Sequence, residues 1–316
     1  MALPSITAAG YGIRWTPGRS STSQRPEELS DTSDWYVARQ EQSSCMAEED
    51  KDLPREALYE LHADVVQWGK DLEKGADQRL GKKQLDAVTT GVGSAIARSI
   101  RSIPAVKKLH YGDDGIRHFN FARISNDVLL GTILRGEQDL IDLKEKEGVC
   151  AVISMNEEWE IKEQGWDGKV FQKHDVKWLH CPTPDYTPPS LRSIVKGVAF
   201  IMEASLNHQF NSQAPPEITA DGAAPQTPPP GGTVFVHCNA GKGRSFIVAL
   251  CYLMLRHRLR SETVYRHIAS LRKGVNLGTH RFAGYKEKLE RFEKGMAALF
   301  HKHKIELQKP PYGLTT

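Results

Sequence analysis

Hydrophobic and polar positions follow a helical period in the first part of the chain. Between residues 54 and 110, apolar side chains such as Leu58, Leu61 and Val65 recur three or four positions apart, which predicts an amphipathic helix. A second stretch of this kind covers about 85–103. Because this second stretch also carries arginines, it could lie on an anionic membrane, but packing against a core is the favoured prediction.

From about residue 119 the pattern changes to short apolar runs that alternate with helical segments. The runs predict strands at 121–124, 128–131, 149–154, 176–180 and 233–237. The segments between and after them predict helices at 137–147, 191–206, 246–256, 261–272 and 282–299. Strands that alternate with helices indicate an α/β domain built on a parallel sheet.

The pattern also divides the chain into regions. Residues 1–50 lack a sustained apolar period and predict a disordered leader, whose basic, acid-poor first half fits either a transit peptide or an ordinary free terminus. Residues 51–117 predict a helical extension, 118–300 the catalytic domain and 301–316 a tail. A proline-rich segment at 211–232 predicts a disordered surface insert within that domain.

Composition excludes several classes of protein. The 42 basic and 39 acidic residues leave a net charge of only +3, so a nucleic-acid partner is not expected. The five cysteines are scattered and form no C-x-x-C pair, which argues against a disulfide framework or a structural zinc site. No run of 18 apolar residues occurs, so no membrane span is expected.

One segment carries the chemistry. Residues 237–245 read His-Cys-Asn-Ala-Gly-Lys-Gly-Arg-Ser and join a predicted buried strand to an apolar helix. A glycine-containing loop that closes onto a helix N-terminus points several backbone N–H groups at one spot, where a tetrahedral anion binds. The predicted anion-binding residues are Asn239, Ala240, Gly241, Lys242, Gly243 and Arg244.

A cysteine at the start of such a loop is a candidate nucleophile. We expect the loop and the helix end to stabilise the thiolate of Cys238, the nucleophilic form, although a lone cysteine after a strand is more often an inert buried thiol. Arg244 can clamp two phosphate oxygens, Ser245 can donate a hydrogen bond to sulfur, and His237 can support the loop. No metal or cofactor is expected, because the arginine and the amides supply the positive charge.

The pattern His-Cys-x5-Arg-Ser resembles the signature of cysteine-based protein tyrosine phosphatases, which include the dual-specificity enzymes. The resemblance implies a three-layer cysteine-phosphatase fold, with a central mainly parallel sheet flanked by helices, and a phosphocysteine intermediate. It also implies a general acid on a mobile loop. Asp185, among prolines after a predicted strand, is the best candidate for that acid, and Asp175, which precedes the strand, is the runner-up.

A narrower resemblance lies in residues 156–160, which read Asn-Glu-Glu-Trp-Glu after a predicted strand. This segment is similar to the mitochondrial phosphatase branch that acts on phosphatidylglycerophosphate, although its residues could instead be solvated caps of a helix. Residues 271–276 stand in the place of that branch's late basic loop. Lys242, Arg272 and Lys273 are therefore candidate contacts for an anionic headgroup.

Three functions stay open at this point. The leading one is a phosphatase for a phospholipid headgroup, such as phosphatidylglycerophosphate or a phosphoinositide, with peripheral membrane contact and a mitochondrial location. The alternative is a dual-specificity protein phosphatase of the cytoplasm, and the third is a phospho-ligand binding module without turnover. Cys181 and Cys251 are candidate redox partners of Cys238, but packing is the favoured prediction for both.

Overall fold

A computed structural model describes residues 53–77, 119–211, 232–275 and 283–308. The predicted leader, the predicted helix at 85–103 and residues 212–231 of the predicted insert lie outside the described residues. Within the described ranges, no helix combines the length and the apolar character that crossing a membrane would require.

Thirteen elements follow one another along the described chain. The helices are α1 (Arg55–Asp77), α2 (Glu137–Glu147), α3 (Glu158–Glu163), α4 (Gly168–Lys173), α5 (Leu191–Asn211), α6 (Arg244–His257), α7 (Ser261–Leu271) and α8 (Ala283–His303). The strands are β1 (Phe121–Ser125), β2 (Val128–Gly131), β3 (Val149–Ser154), β4 (Lys177–His180) and β5 (Thr233–His237).

The five strands form one mixed sheet in the order β1-β2-β5-β3-β4. β1 and β2 form an antiparallel hairpin, whereas β2 with β5, β5 with β3, and β3 with β4 are parallel pairs. The carboxyl ends of the parallel strands therefore meet at one edge of the sheet, where an open α/β sheet binds its ligands. The predicted α/β class with a mainly parallel sheet is confirmed.

Helices cover both faces of this sheet. Along β5, Val234 and Val236 join the larger apolar core with helices α5 to α8, whereas Phe235 joins the smaller core with α2 to α4. Successive side chains of a strand point to opposite faces, so a strand buried on both sides is apolar at every position. The arrangement of helices, sheet and helices confirms the predicted three-layer fold.

The helical extension packs on the catalytic domain over its described part. Leu61 and Val65 of α1 are completely buried in the larger core. The Trp68 ring lies 5.4 Å from the ring of Phe292 in α8. Asp64 accepts hydrogen bonds from Lys302 and His303 at the end of α8, and these bonds hold the pKa of its carboxyl below the ordinary value.

Candidate active site

The loop between β5 and α6 lies at the carboxyl edge of the parallel strands. Its Gly241 has φ +64°, a left-handed conformation that L side chains rarely adopt. A Cβ atom at this position would stand 2.4 Å from the carbonyl oxygen of Gly131, at the end of β2. Only glycine therefore allows the loop to close against the neighbouring strand.

Cys238 is the first residue after β5, and it is 3% exposed. The Ser245 hydroxyl donates a hydrogen bond of 3.3 Å to its sulfur. Burial by itself raises the pKa of the thiol, but the charge of Arg244 and the hydrogen bonds from the side chain and backbone of Ser245 bring it below the ordinary value. The site thus favours the thiolate.

His237 joins the loop to the neighbouring strands. Its Nε2 lies 2.7 Å from the Ser154 Oγ, and the Trp178 Nε1–H donates to the same oxygen at 2.9 Å. Burial lowers the pKa of His237 to about 3, so the ring is neutral at neutral pH. The Ser154 hydroxyl is then free to donate to Nε2, which favours the tautomer with its proton on Nδ1.

Arg244 begins α6 and is 1% exposed. Glu160 accepts hydrogen bonds from its Nη1 at 2.6 Å and from its Nη2 at 3.2 Å, and the Thr183 carbonyl accepts from Nη1 at 2.9 Å. Burial opposes the charge, but Asp185 and Glu160 raise the pKa of Arg244 above its ordinary value. Its Nε–H has no partner in the described part of the chain, which leaves that edge of the fork for an anion.

Asp185 lies in the loop after β4 and touches the same guanidinium. Its Oδ1 is 3.0 Å from the Arg244 Nη2, and its backbone N–H donates to Glu157 at 3.3 Å. The next residue, Tyr186, has φ 63°, a rare conformation for a bulky residue that turns the chain sharply beside the acid. Asp175 lies before β4, at the opposite edge of the sheet, so it does not share this site.

The segment at 156–160 lies inside the protein rather than in solvent. Asn156, Glu157 and Glu160 are 0%, 7% and 3% exposed, and within the segment Glu158 alone is exposed. These residues are therefore not solvated, except at Glu158, although Glu157 does cap α3 in a capping box with Glu160. Glu160 does accept the Glu157 backbone N–H at 2.8 Å at the start of α3, but it also pairs with Arg244. The ion pair between Glu160 and Arg244 was not predicted from the sequence, although the strand before the segment indicated that the segment lies at the carboxyl edge of the sheet.

The prediction that Arg272 contacts a headgroup needs correction. Arg272 is 7% exposed, its Nε donates to the Gly241 carbonyl at 2.8 Å, and its Nη2 donates to the Ala240 carbonyl at 2.9 Å. The two loop carbonyls are thereby drawn toward Arg272 on the outer side of the loop. Lys242 and Lys273 are exposed, as a headgroup contact requires.

Comparison with known proteins gives this geometry a family. The profile described as "Dual specificity phosphatase, catalytic domain" matches residues 227–293. A human relative, named phosphatidylglycerophosphatase and protein-tyrosine phosphatase 1, is 30% identical over 180 residues, which cover 56% of this chain and 75% of the relative. The chain belongs to this branch of the dual-specificity phosphatase family.

The chain is also similar to proteins from Arabidopsis thaliana and to a solved structure. An Arabidopsis thaliana relative, named phosphatidylglycerophosphate phosphatase PTPMT1, is 31% identical over 157 residues, or 49% of this chain. The chain spans only 38% of the length of that relative and 56% of a second Arabidopsis relative. A crystal structure of PTPMT1 has 28% identity and a TM-score of 0.45, and the match covers 58% of this chain and 99% of that one.

One residue beside this site had no signal in the sequence. The Tyr285 hydroxyl, near the start of α8, donates to the carbonyl of Thr187, in the loop after β4, at 2.7 Å. Tyr285 is 1% exposed, and burial followed by the charge of Cys238 raises its pKa above the ordinary value. A contact across 98 residues has no local pattern that would predict it.

The other buried cysteines are packed thiols in this structure. Burial raises the pKa of Cys181 to about 11 and that of Cys251 well above its ordinary value. Both groups are therefore protonated at neutral pH, unlike Cys238. This agrees with the packed alternative rather than with a resolving role.

Proposed function

We propose that the chain hydrolyses phosphomonoesters through a phosphocysteine intermediate. The observation that carries the proposal is the hydrogen bond of 3.3 Å from Ser245 to the Cys238 sulfur, at the N-terminus of a helix whose first residue is the buried Arg244. A thiolate beside a ring of amides and a fixed guanidinium suits attack on a phosphate group and little else.

The first step transfers the phosphoryl group to sulfur. The Cys238 thiolate attacks phosphorus, the P–S bond forms, and the bond to the leaving ester oxygen breaks. Asp185 gives its proton to that oxygen, so the alcohol leaves neutral. The loop amides and Arg244 hold the equatorial oxygens, where charge is concentrated in the transition state.

The second step returns the thiolate. Asp185, now a carboxylate, takes a proton from water, the new hydroxide attacks phosphorus, and the P–S bond breaks with release of inorganic phosphate. The Ser245 hydroxyl stabilises the departing sulfur. The same aspartate thus acts first as an acid and then as a base, so the enzyme is ready for the next substrate.

The pairing of Asp185 with Arg244 suits this exchange of roles. A phosphate dianion that binds the Nε and Nη2 edge of Arg244 takes over the Nη2 donor that now contacts the Asp185 Oδ1. Asp185, released from that donor, then stands beside the bound phosphate, where a proton has to be delivered.

We further propose a phospholipid headgroup as the substrate, such as phosphatidylglycerophosphate or a phosphoinositide. The names of the human and Arabidopsis relatives support this choice, and the exposed Lys242 and Lys273 offer positive charge beside the loop. The human relative's name also includes protein-tyrosine phosphatase, so a phosphotyrosine protein is the second candidate. The transit-peptide-like leader supports a mitochondrial location, which stays a prediction.

The test of activity compares substrates and one substitution. The chain is assayed side by side on phosphatidylglycerophosphate, a phosphoinositide, a phosphotyrosine peptide and para-nitrophenyl phosphate. We expect the highest kcat/KM on a lipid and no turnover in Cys238→Ser, because an alcohol at this position is not ionised. Full activity of Cys238→Ser would refute the mechanism, and phosphate binding without any turnover in the parent chain would favour the binding module.

The acid is tested by a matched pair of variants. Asp185→Asn keeps the shape of the side chain but cannot deliver a proton, so kcat should fall by about 10²- to 10⁴-fold. Asp175→Asn is the control, since Asp175 lies at the other edge of the sheet. If the control loses turnover and Asp185→Asn does not, the assignment of the acid is wrong.

A further inference from the structure

A cavity of about 280 Å³ lies away from the catalytic loop, between α1 of the helical extension, α5 and the edge strand β4. Its lining residues on α1 recur at helical spacing from His62 to Glu73, and those on α5 recur in the same way from Arg192 to Glu203. The cavity is therefore a groove between two packed helix faces. None of the residues assigned above to catalysis lines it.

The floor of the groove is apolar. Val65 and Leu179, which are 0% and 9% exposed, form its base, and the half-buried Val66, Ala199 and Phe200 supply the apolar surface that water can reach. Apolar surface of this kind gains free energy when a hydrocarbon chain replaces water. A cavity of this size is at the lower end of ligand sites, so it suits one chain rather than the two chains of a diacyl lipid.

The charges on the wall are unbalanced. Both carboxylates of the wall already pair with cations, as Glu73 with Arg192 and Glu203 with Lys177. Lys70 and Lys196 also line the groove, and neither pairs with a carboxylate in the described part of the chain. His62 adds an enclosed Nε2 without a hydrogen-bond partner among the described residues.

We propose that this groove binds a single-chain anionic lipid, such as a fatty acid. Its chain lies along Val66, Ala199 and Phe200, and its anionic head pairs with Lys70 and Lys196. An apolar floor beside two ammonium groups that pair with no carboxylate among the described residues matches the two ends of such a molecule. The site lies outside the catalytic loop and goes beyond the proposed function.

Calorimetry with dodecanoate, below its micelle concentration, tests the proposal on the full chain. Saturating inorganic phosphate is present to occupy the catalytic loop. We expect one dodecanoate per chain, and we expect dodecanol, which has the same chain and no charge, to bind at least tenfold more weakly. Calorimetry measures binding and not turnover, so its result is independent of the activity assays that test the proposed function.

Three variants locate the site. Lys70→Glu and Lys196→Glu should each weaken dodecanoate binding at least tenfold, whereas Lys74→Glu, on α1 but outside the groove, should not. Gly69→Leu should abolish binding by filling the groove. A Cβ atom at Gly69 meets its nearest neighbour, Val195, at an ordinary 3.7 Å, and leucine favours the helix more than glycine does.

Several results would overturn the proposal. These are no binding of dodecanoate, displacement of dodecanoate by phosphate, equal binding of dodecanol, or unchanged affinity in both lysine variants. Thermal unfolding without ligand shows whether Gly69→Leu folds. If it does not fold, the two lysine variants decide, because both lysines are exposed and their replacement leaves the core intact.

Discussion

Replacing Arg272 by alanine distinguishes two possible roles of this residue, namely holding the catalytic loop in shape and binding a lipid headgroup. In the structure Arg272 donates to the carbonyls of Ala240 and Gly241 at 2.9 and 2.8 Å, and to the Asn120 side chain at 3.0 Å. With the carbonyls held outward, the amides of the same loop are available to phosphate. The alanine variant should therefore disturb the site for every phosphomonoester.

The size of the effect follows from the two bonds to the loop. A hydrogen bond to a charged group contributes about 1.5–3 kcal/mol, so Arg272→Ala removes roughly 3–6 kcal/mol of support from the loop. If about half of that is lost in the transition state, kcat/KM falls by roughly 10- to 10²-fold, since each 1.36 kcal/mol is a factor of ten. The stability of the folded chain should change by a similar or smaller amount.

The assay compares a small aryl phosphate, which has no lipid headgroup, with a phospholipid substrate. Kcat/KM is measured on para-nitrophenyl phosphate and on phosphatidylglycerophosphate, and we expect Arg272→Ala to lose roughly 10- to 10²-fold on both. Lys273→Ala is the control, because Lys273 is adjacent and exposed. A loss confined to the lipid substrate would refute the reasoning and restore the role of Arg272 as a headgroup contact.

The pH dependence provides a second readout of the same variant. Arg272 and the Cys238 thiolate interact electrostatically, so loss of the guanidinium should raise the pKa of the thiol. The thiolate then forms only at higher pH, and the acidic limb of the rate profile and of iodoacetamide alkylation should both move upward. Arg272→Lys keeps the charge and should restore this limb more fully than it restores kcat.

Two other substitutions, together with one control, test contacts between elements that are distant in the sequence. Tyr285→Phe removes the bond to the Thr187 carbonyl and should lower kcat several-fold with little change in KM, whereas an unchanged kcat would show that the acid loop needs no such restraint. Gly295→Ala would place a Cβ atom 2.2 Å from the Trp68 ring and should lower the free energy of unfolding by about 1–3 kcal/mol in urea titrations. Gly75→Ala, with nothing within 4 Å, should be neutral or stabilising by up to about 1 kcal/mol, and equal behaviour of the two glycine variants would contradict the docking of α1 on α8.

Elements with a strong local pattern were predicted well. The strand at 149–154 and the helix at 137–147 match β3 and α2 in the structure. A run that is apolar at every position indicates a buried strand, and apolar residues that recur every three or four positions indicate a helix with one buried face. The short helices α3 and α4 were not predicted, because six residues hold too few turns to show a period.

The sequence by itself determined the centre of the site. Cys238, the loop amides and Arg244 lie within seven consecutive residues between a strand and a helix, so local backbone geometry brings them together. The helix that follows begins at Arg244, two residues before its predicted start at 246. For such a short segment, the arrangement of the residues in space follows directly from their order in the chain.

Tertiary structure alone decided what surrounds that centre. Glu160, Arg272 and Tyr285 come from three different elements, and each reaches the site only because parallel strands return to one edge and the helices pack across them. Two of these residues are buried and make contacts that composition could not show. Glu160 forms an ion pair with Arg244, and Arg272 donates hydrogen bonds to the carbonyls of the catalytic loop. Such contacts depend on how the chain folds back on itself, and no local pattern encodes that path.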